Sequence, residues 1–308
     1  MQEKKNKFQF ALLIVLLAAT TFTFWKINRA DSPEVNKNIF KPNDLKAVSK
    51  ITLESAKGTV ELAFTSRWNV NQQYDADRNL MDVLFATLQQ AEPKRKVAQV
   101  LRDSIANELK KQGIKISMFA GEQLVKTFYA GGNARKSHAF FMTPGGEVYL
   151  MTIPGYRVYV SGILELDENG WRDKHVFGFN WRNFKGMIAE FPARPADNFE
   201  VVMGPAGFGI KGLEAVDTAR FNTYLDEVSL LTVDEYVDPG TMTDSLSKTQ
   251  PFMVITVSDI ADKQYRLKLY TADKKMEVRA LIQETQGAVF HPEKIRNLLR
   301  SRAFFEKK

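Results

Sequence analysis

Shifted by 140 residues, the stretch Arg67 to Leu88, RWNVNQQYDADRNLMDVLFATL, falls without a gap on Gly207 to Val228, GFGIKGLEAVDTARFNTYLDEV. A repeat constrains the fold more tightly than composition does, because each copy must bury the same apolar face in the same way. Trp68 falls on Phe208, Val70 on Ile210 and Asp77 on Asp217. Beyond the aspartates, Met81, Leu84, Phe85 and Leu88 fall on Phe221, Tyr224, Leu225 and Val228. The first positions alternate as in a strand and the later ones return at helical spacing, so the unit reads as strand, turn and N-capped helix. Upstream, the same register sets Ile51 against Phe191 and Leu62 against Val202.

The flanks extend the unit. KITLES and GTVELAF read as a hairpin around Lys57-Gly58, and Pro93 closes the first helix. A second amphipathic helix is expected to carry Val97, Val100, Leu101, Ile105 and Leu109 up to Gly113. IKISMFA, QLVKTFYAG, SHAFFMT, EVYLMTI and YRVYV then form a meander of short strands. FMVITVSD, QYRLKLYTA, KMEVRALI and GAVFH answer it in the second copy, with HPEKIRNLLRSRAFF as a closing helix and no obvious counterpart of the second helix. Local connections of this kind indicate an α+β fold, not a parallel α/β sheet.

FQFALLIVLLAATTFTFW, Phe8 to Trp25, holds 18 residues without a charge. As a helix it nearly spans a hydrocarbon core of about 30 Å. Lys4, Lys5 and Lys7 precede it and Asp31 and Glu34 follow, which puts the N-terminus in the cytoplasm and the bulk of the chain in the periplasm. A cleaved signal peptide is the rival reading; Ala18, Ala19 and Thr20 make a poor cleavage site, whereas Phe22, Phe24 and Trp25 suit an interfacial belt. The chain has no cysteine, so disulfides, thiolate metal sites and a lipidated cysteine are excluded. The expected organisation is a cytoplasmic tip and transmembrane anchor over 1–25, a stalk over 26–43, a first domain with an aromatic linker over 44–182 and a second domain over 183–308. In fold terms this is an N-terminal transmembrane helix followed by two tandem copies of an antiparallel-sheet-plus-helices domain.

Several motifs suggest chemistry, and each has a plainer reading. GFGIKG matches the dinucleotide pattern in letters, yet its glycines occupy a strand and the helix starts only near Asp217, so an edge strand or bulge is expected. His138, His175 and His291 lack ligand spacing, and the acidic residues of ELDENGWRDK do not alternate as a calcium loop requires. No catalytic, cofactor-binding or metal-binding residue is therefore assigned, and no cofactor is expected. Two surfaces are candidates for a partner or ligand. One is the basic segment with Lys94, Arg95, Lys96 and Arg102, read as a cationic helix face suited to anionic lipid or an acidic protein. The other is the aromatic joint with Trp171, Arg172, Phe179 and Trp181, which suits packing between domains, a protein contact or a stacked glycan. Nucleic acid is not an expected partner outside the cytoplasm. Of the formal net charge of +7, the residues after the apolar run carry only +5.

RWNVN, DADRNLMDVLFATL, PGYRVYVSGI and WRDKHVF together resemble a bacterial family of uncharacterised, membrane-anchored domains of unknown function. Its members often stand beside gliding-motility-type ABC transporter components, and the domain commonly occurs in repeats. The likeness covers about 50–180 and, more weakly, the second copy, where Phe208 replaces the tryptophan and the arginine-aspartate-lysine step is missing. The resemblance implies a noncatalytic scaffold or adaptor at a transporter or envelope complex, and it carries over no catalytic residue. A cell-wall or surface glycan-binding module is the alternative, and a hydrolase assembled from distant residues is a third.

Overall fold

The computed structural model describes Phe10 and residues 12–23, 35–205, 207–237, 246, 248–271 and 277–307. The architecture is mixed α/β, with two antiparallel sheets and few helices. The chain divides into two units, Met1–Glu168 and Asn169–Lys308. Phe10 and residues 12–23 are helical; Phe8, Gln9, Ala11, Phe24 and Trp25 of the expected anchor lie outside the described residues, as do 26–34 of the expected stalk. Among the described residues no helix is long and apolar enough to cross a membrane.

In the first unit β1 (Lys50–Ser55) and β2 (Gly58–Phe64) form the expected hairpin, and β3 (Trp68–Val70) and β4 (Tyr74–Asp75) extend it outward. Helix α1 (Arg78–Gln90) begins where the Asp77 carboxylate accepts the Leu80 N–H, and it buries Met81, Leu84 and Leu88. Strand β5 (Glu92–Lys96) and helix α2 (Gln99–Gln112) follow, then the meander β6 (Ile114–Ala120), β7 (Gln123–Gly132), β8 (Ala139–Met142) and β9 (Val148–Thr152). The sheet order is β4-β3-β2-β1-β6-β7-β8-β9-β5.

The second unit contains β10 (Phe184–Glu190), β11 (Phe199–Gly204), β12 (Gly207–Ile210), α3 (Thr218–Ser229), β13 (Glu235–Val237), β14 (Met253–Asp259), β15 (Gln264–Tyr270), β16 (Val278–Ile282) and β17 (Gln286–Phe290). Its sheet order, β12-β11-β10-β14-β15-β16-β17-β13, is that of the first unit without β4. Asp217 caps α3 through the Arg220 N–H, and Phe221, Tyr224, Leu225 and Val228 are buried as the repeat predicts. The glycines of GFGIKG lie on and beside the edge strand β12.

Strand pairing corrects the upstream register. Ile51 pairs with Leu62, both buried; the buried pair at the corresponding place is Met187 with Val201, not Phe191 with Val202. The cause is length: the β1–β2 turn is short, whereas Phe191–Asn198 separate β10 from β11.

Other expectations change as well. Lys94, Arg95 and Lys96 are not helical but lie in β5, paired to β9 at the sheet edge. Pro93 disfavours helix in the residue before it and removes a ladder donor, a combination tolerated at an edge. Helix α2 consequently starts later than expected, burying Ala106 and Leu109 and leaving Val100 92 % exposed. YRVYV is not a strand; after a bridge from Ile153 to Tyr156 the chain leaves the sheet through Gly155, whose φ is +82°. The closing helix is instead a short helix α4 (Pro292–Arg296) and a 3-10 turn (Arg302–Phe305). The first core also starts before residue 44, since Phe40 is buried edge-on against Phe128, Phe141 and Tyr149.

Candidate functional site

Strand β7 ends in Gly131-Gly132, and these glycines admit a close approach of other chain segments beside a polar cleft of the first unit. A Cβ on Gly131 would stand 2.8 Å from Leu109 Cδ2; one on Gly132 would overlap the Tyr159 ring and hydroxyl and lie 2.6 Å from the His138 carbonyl oxygen. The missing side chains let 159–165 cross the end of β7, where the buried Ser161 hydroxyl donates to the Gly131 carbonyl at 2.7 Å. A 3-10 turn, Gly162–Glu165, then buries Leu164 and presents Glu165.

Glu165 accepts a hydrogen bond from the Tyr159 hydroxyl through one oxygen and pairs with Lys136 Nζ at 2.9 Å through the other. Burial, followed by the bond to Glu165, pushes the Tyr159 hydroxyl far above its ordinary value. The hydrogen bond to Glu165 and that residue's charge raise the Lys136 ammonium. Three positions beyond Glu165, Glu168 accepts a hydrogen bond from Asn71, which stands at φ +50° and accepts the Glu61 N–H at 2.7 Å. The cleft beside these groups measures about 640 Å³ and is lined by Leu53, Lys57, Gln112, Lys136, Glu165 and Asp167 among others. A carboxylate held between a phenol and an ammonium is an anchor for its own segment. The raised Tyr159 stays protonated at neutral pH, so the trio forms a fixed dipole and does not exchange protons there.

Sequence reading missed Tyr159 and Lys136 and took Glu165 only as one of the acidic residues of ELDENGWRDK, although a glycine pair inside a strand signals close approach of another chain segment. The residues it singled out are scattered. Lys96 and Arg102 meet at Glu147, Lys96 as an ion pair and Arg102 at 3.9 Å. Lys94 and Arg95 are exposed on β5. Proline, a register shift between Pro93 and Arg95 and cationic side chains are devices that keep an edge strand from pairing with other chains.

The aromatic joint belongs to the second unit. Trp171 is wholly buried, and Phe179 lies in the same core as Phe177 and Phe184. Arg172 is buried with its guanidinium 3.7 Å from the Tyr236 ring centroid, donating to Asn169 and Gln286 at 3.1 Å each. Lys174 Nζ donates to the Asp234 carbonyl, and Tyr236 donates to the Asp173 carbonyl at 2.7 Å. WRDK thereby fastens 171–174 to β13. Only Trp181 of the aromatic candidates reaches solvent, at 47 % exposure. Trp68 and Phe208 occupy corresponding places on β3 and β12, and Asp77 and Asp217 are both caps.

His175 Nδ1 lies 2.7 Å from Asp173, while Asp234 pairs with Lys294 at 2.6 Å and accepts the His291 N–H. Burial alone would raise Asp234, but the Lys294 and His291 hydrogen bonds hold it below its ordinary value. Among the described residues no group of three or more His, Asp or Glu is placed to hold a metal ion. A family model described as Domain of unknown function (DUF4340) matches residues 68–251, from β3 of the first unit to just before β14 of the second. No curated protein matches the chain.

Proposed function

The chain belongs to the DUF4340 family, and from that premise we propose that it is a noncatalytic adaptor built from two copies of one domain, held at the bacterial inner membrane by its N-terminal segment. The observation carrying this reading is a contrast within the first unit. Lys136 and Glu165 of its polar cleft pair with each other, and Glu165 also holds the Tyr159 hydroxyl, whereas apolar side chains stand uncovered beside it. Val83, Tyr156 and Val158 line an exposed groove of about 280 Å³ between α1 and the 153–163 segment. Apolar clusters of this kind mark contact sites for other proteins. The matching strand orders supply the case for duplication, and the uncharged run from Phe8 to Trp25 supplies the case for a single span with the bulk of the chain periplasmic. The resemblance to domains encoded beside gliding-motility-type ABC transporters makes an export or envelope assembly the partner class.

Mild-detergent purification of the full chain from its native membrane, followed by mass spectrometry, tests the reading. A parallel preparation with an unrelated anchor helix separates contacts of the domains from contacts of the span. Stoichiometric transporter or envelope subunits in both preparations are the expected result; recovery of the chain alone in both refutes the adaptor.

A further inference from the structure

A second cleft of the first unit, about 760 Å³, is walled by Phe64, Trp68 and Phe85. The Trp68 ring centroid lies 5.7 Å from that of Phe64 and 5.4 Å from that of Phe85, so three rings form one continuous apolar surface. Asn43, Asp44, Lys46 and Gln89 line the same cleft. Asp44 accepts the Lys46 backbone N–H at 2.9 Å. The Asn43, Lys46 and Gln89 side chains and the Trp68 indole N–H have no hydrogen-bond or ion-pair partner among the described residues.

The second unit fills the corresponding place with its own rings. Counted along the chain, Trp181 and Phe184 precede the core residue Met187 as Leu45 and Val48 precede Ile51; the two core residues pair at matching points of the two sheets, and in the second a register shift lies between Phe184 and Gly186. Phe184 packs 4.9 Å from Phe208, the residue that falls on Trp68, and Trp181 lies edge-on to Phe184 at 6.1 Å. With leucine and valine at these positions, the first unit has no ring in the place of Phe184, and among the described residues the ring neighbours of Trp68 are Phe64 and Phe85 alone. The second unit therefore seats a ring against this strand position, whereas in the first unit the smaller Leu45 and Val48 leave a cleft beside Trp68.

We propose that the open cleft binds a saccharide, one ring of which stacks on Trp68 while its hydroxyls bond to Asn43, Lys46, Gln89 and the indole N–H. A sugar ring has apolar C–H faces and a polar rim, which matches an aromatic wall flanked by free donors and acceptors. An aromatic side chain from a protein partner would cover those polar groups without satisfying them, and a buried polar group left without a partner disfavours that contact. The cleft volume falls in the range of about 300–1,000 Å³ usual for small-molecule sites. This site is separate from the Val83–Tyr156 groove and does not depend on the adaptor reading.

The full chain in detergent micelles is screened on an array of neutral, acidic and N-acetylated oligosaccharides, and the strongest binder is titrated by calorimetry. Trp68→Ala and Gln89→Ala are each expected to weaken binding at least tenfold. Leu45→Trp with Val48→Phe, which places the second unit's rings over Trp68, is expected to abolish binding while preserving the circular dichroism spectrum; Trp181→Ala leaves affinity unchanged. Absence of binding across the array, undiminished affinity in the ring-filled variant, or preferential binding of an acetylated Phe-Trp dipeptide overturns the proposal.

Discussion

Gly132→Ala is a small change with a large expected effect, because the Tyr159 ring lies where the new methyl would stand. The His138 carbonyl on the other side cannot yield easily, since Gly132 pairs with Ala139 in the β7–β8 ladder. Tyr159 must then move and release Glu165. Overpacking of this sort costs about 1–3 kcal/mol. A hydrogen bond to a charged acceptor is worth about 1.5–3 kcal/mol, and partial exposure of this pair reduces that to about 1 kcal/mol. Losing a glycine from the unfolded chain returns about 0.4–1 kcal/mol. The net expectation is a loss of about 2–3 kcal/mol, confined to the first unit. Hydrogen exchange with peptide resolution measures it in the full chain, because segments β7–β8 and 159–165 report the first unit and β14–β17 report the second. In a Tyr159→Ala background the same glycine substitution should cost at least about 1 kcal/mol less, as expected for residues in contact. Equal costs in the two backgrounds, or a loss of protection spread over both units, would refute the argument.

Further expectations concern caps, the buried arginine and pH. Asp77→Ala and Asp217→Ala should each lower the stability of their own unit by about 1 kcal/mol, and the double variant should show the sum in exchange measurements. Arg172→Ala unstacks Tyr236 and frees Asn169 and Gln286, so the second unit should lose about 3 kcal/mol, with Arg172→Lys recovering little of it in denaturant titrations. Burial pushes Tyr236 up to about 12, against the opposing charge of Arg172. Its folded value exceeds the unfolded value of about 10, so its contribution is complete below that pH and disappears as pH rises through 12. Second-unit stability should therefore be insensitive to this group at pH 8 and fall between pH 10 and 12 by about 2 kcal/mol, a slope that Tyr236→Phe removes.

The α1 and α3 helices were legible because cap, helical spacing and buried face agree at Asp77 and Asp217, where local and tertiary preferences coincide. The register of β10 and β11, the counterpart of the first hairpin, was not, because it depends on the length of the Phe191–Asn198 connection, which leaves no trace in residue class. The charge of Lys94–Lys96 suggested a helix face, and only pairing with β9 reveals an edge strand. Trp171 and Arg172 show the converse limit: aromatic and cationic residues favour contact surfaces and interiors alike, and burial is settled by Tyr236 and Gln286, which stand far along the chain. The Tyr159–Glu165–Lys136 trio was hidden for the same reason, although the glycines that admit it stand together in the sequence.

The adaptor reading is tested most directly by photocrosslinking in native membranes from Val100, Tyr156 and Val158, three exposed apolar positions of the first unit. One discrete crosslinked product containing an integral membrane subunit, retained when the anchor helix is exchanged, is the predicted result; the absence of any discrete product from all three positions would contradict it.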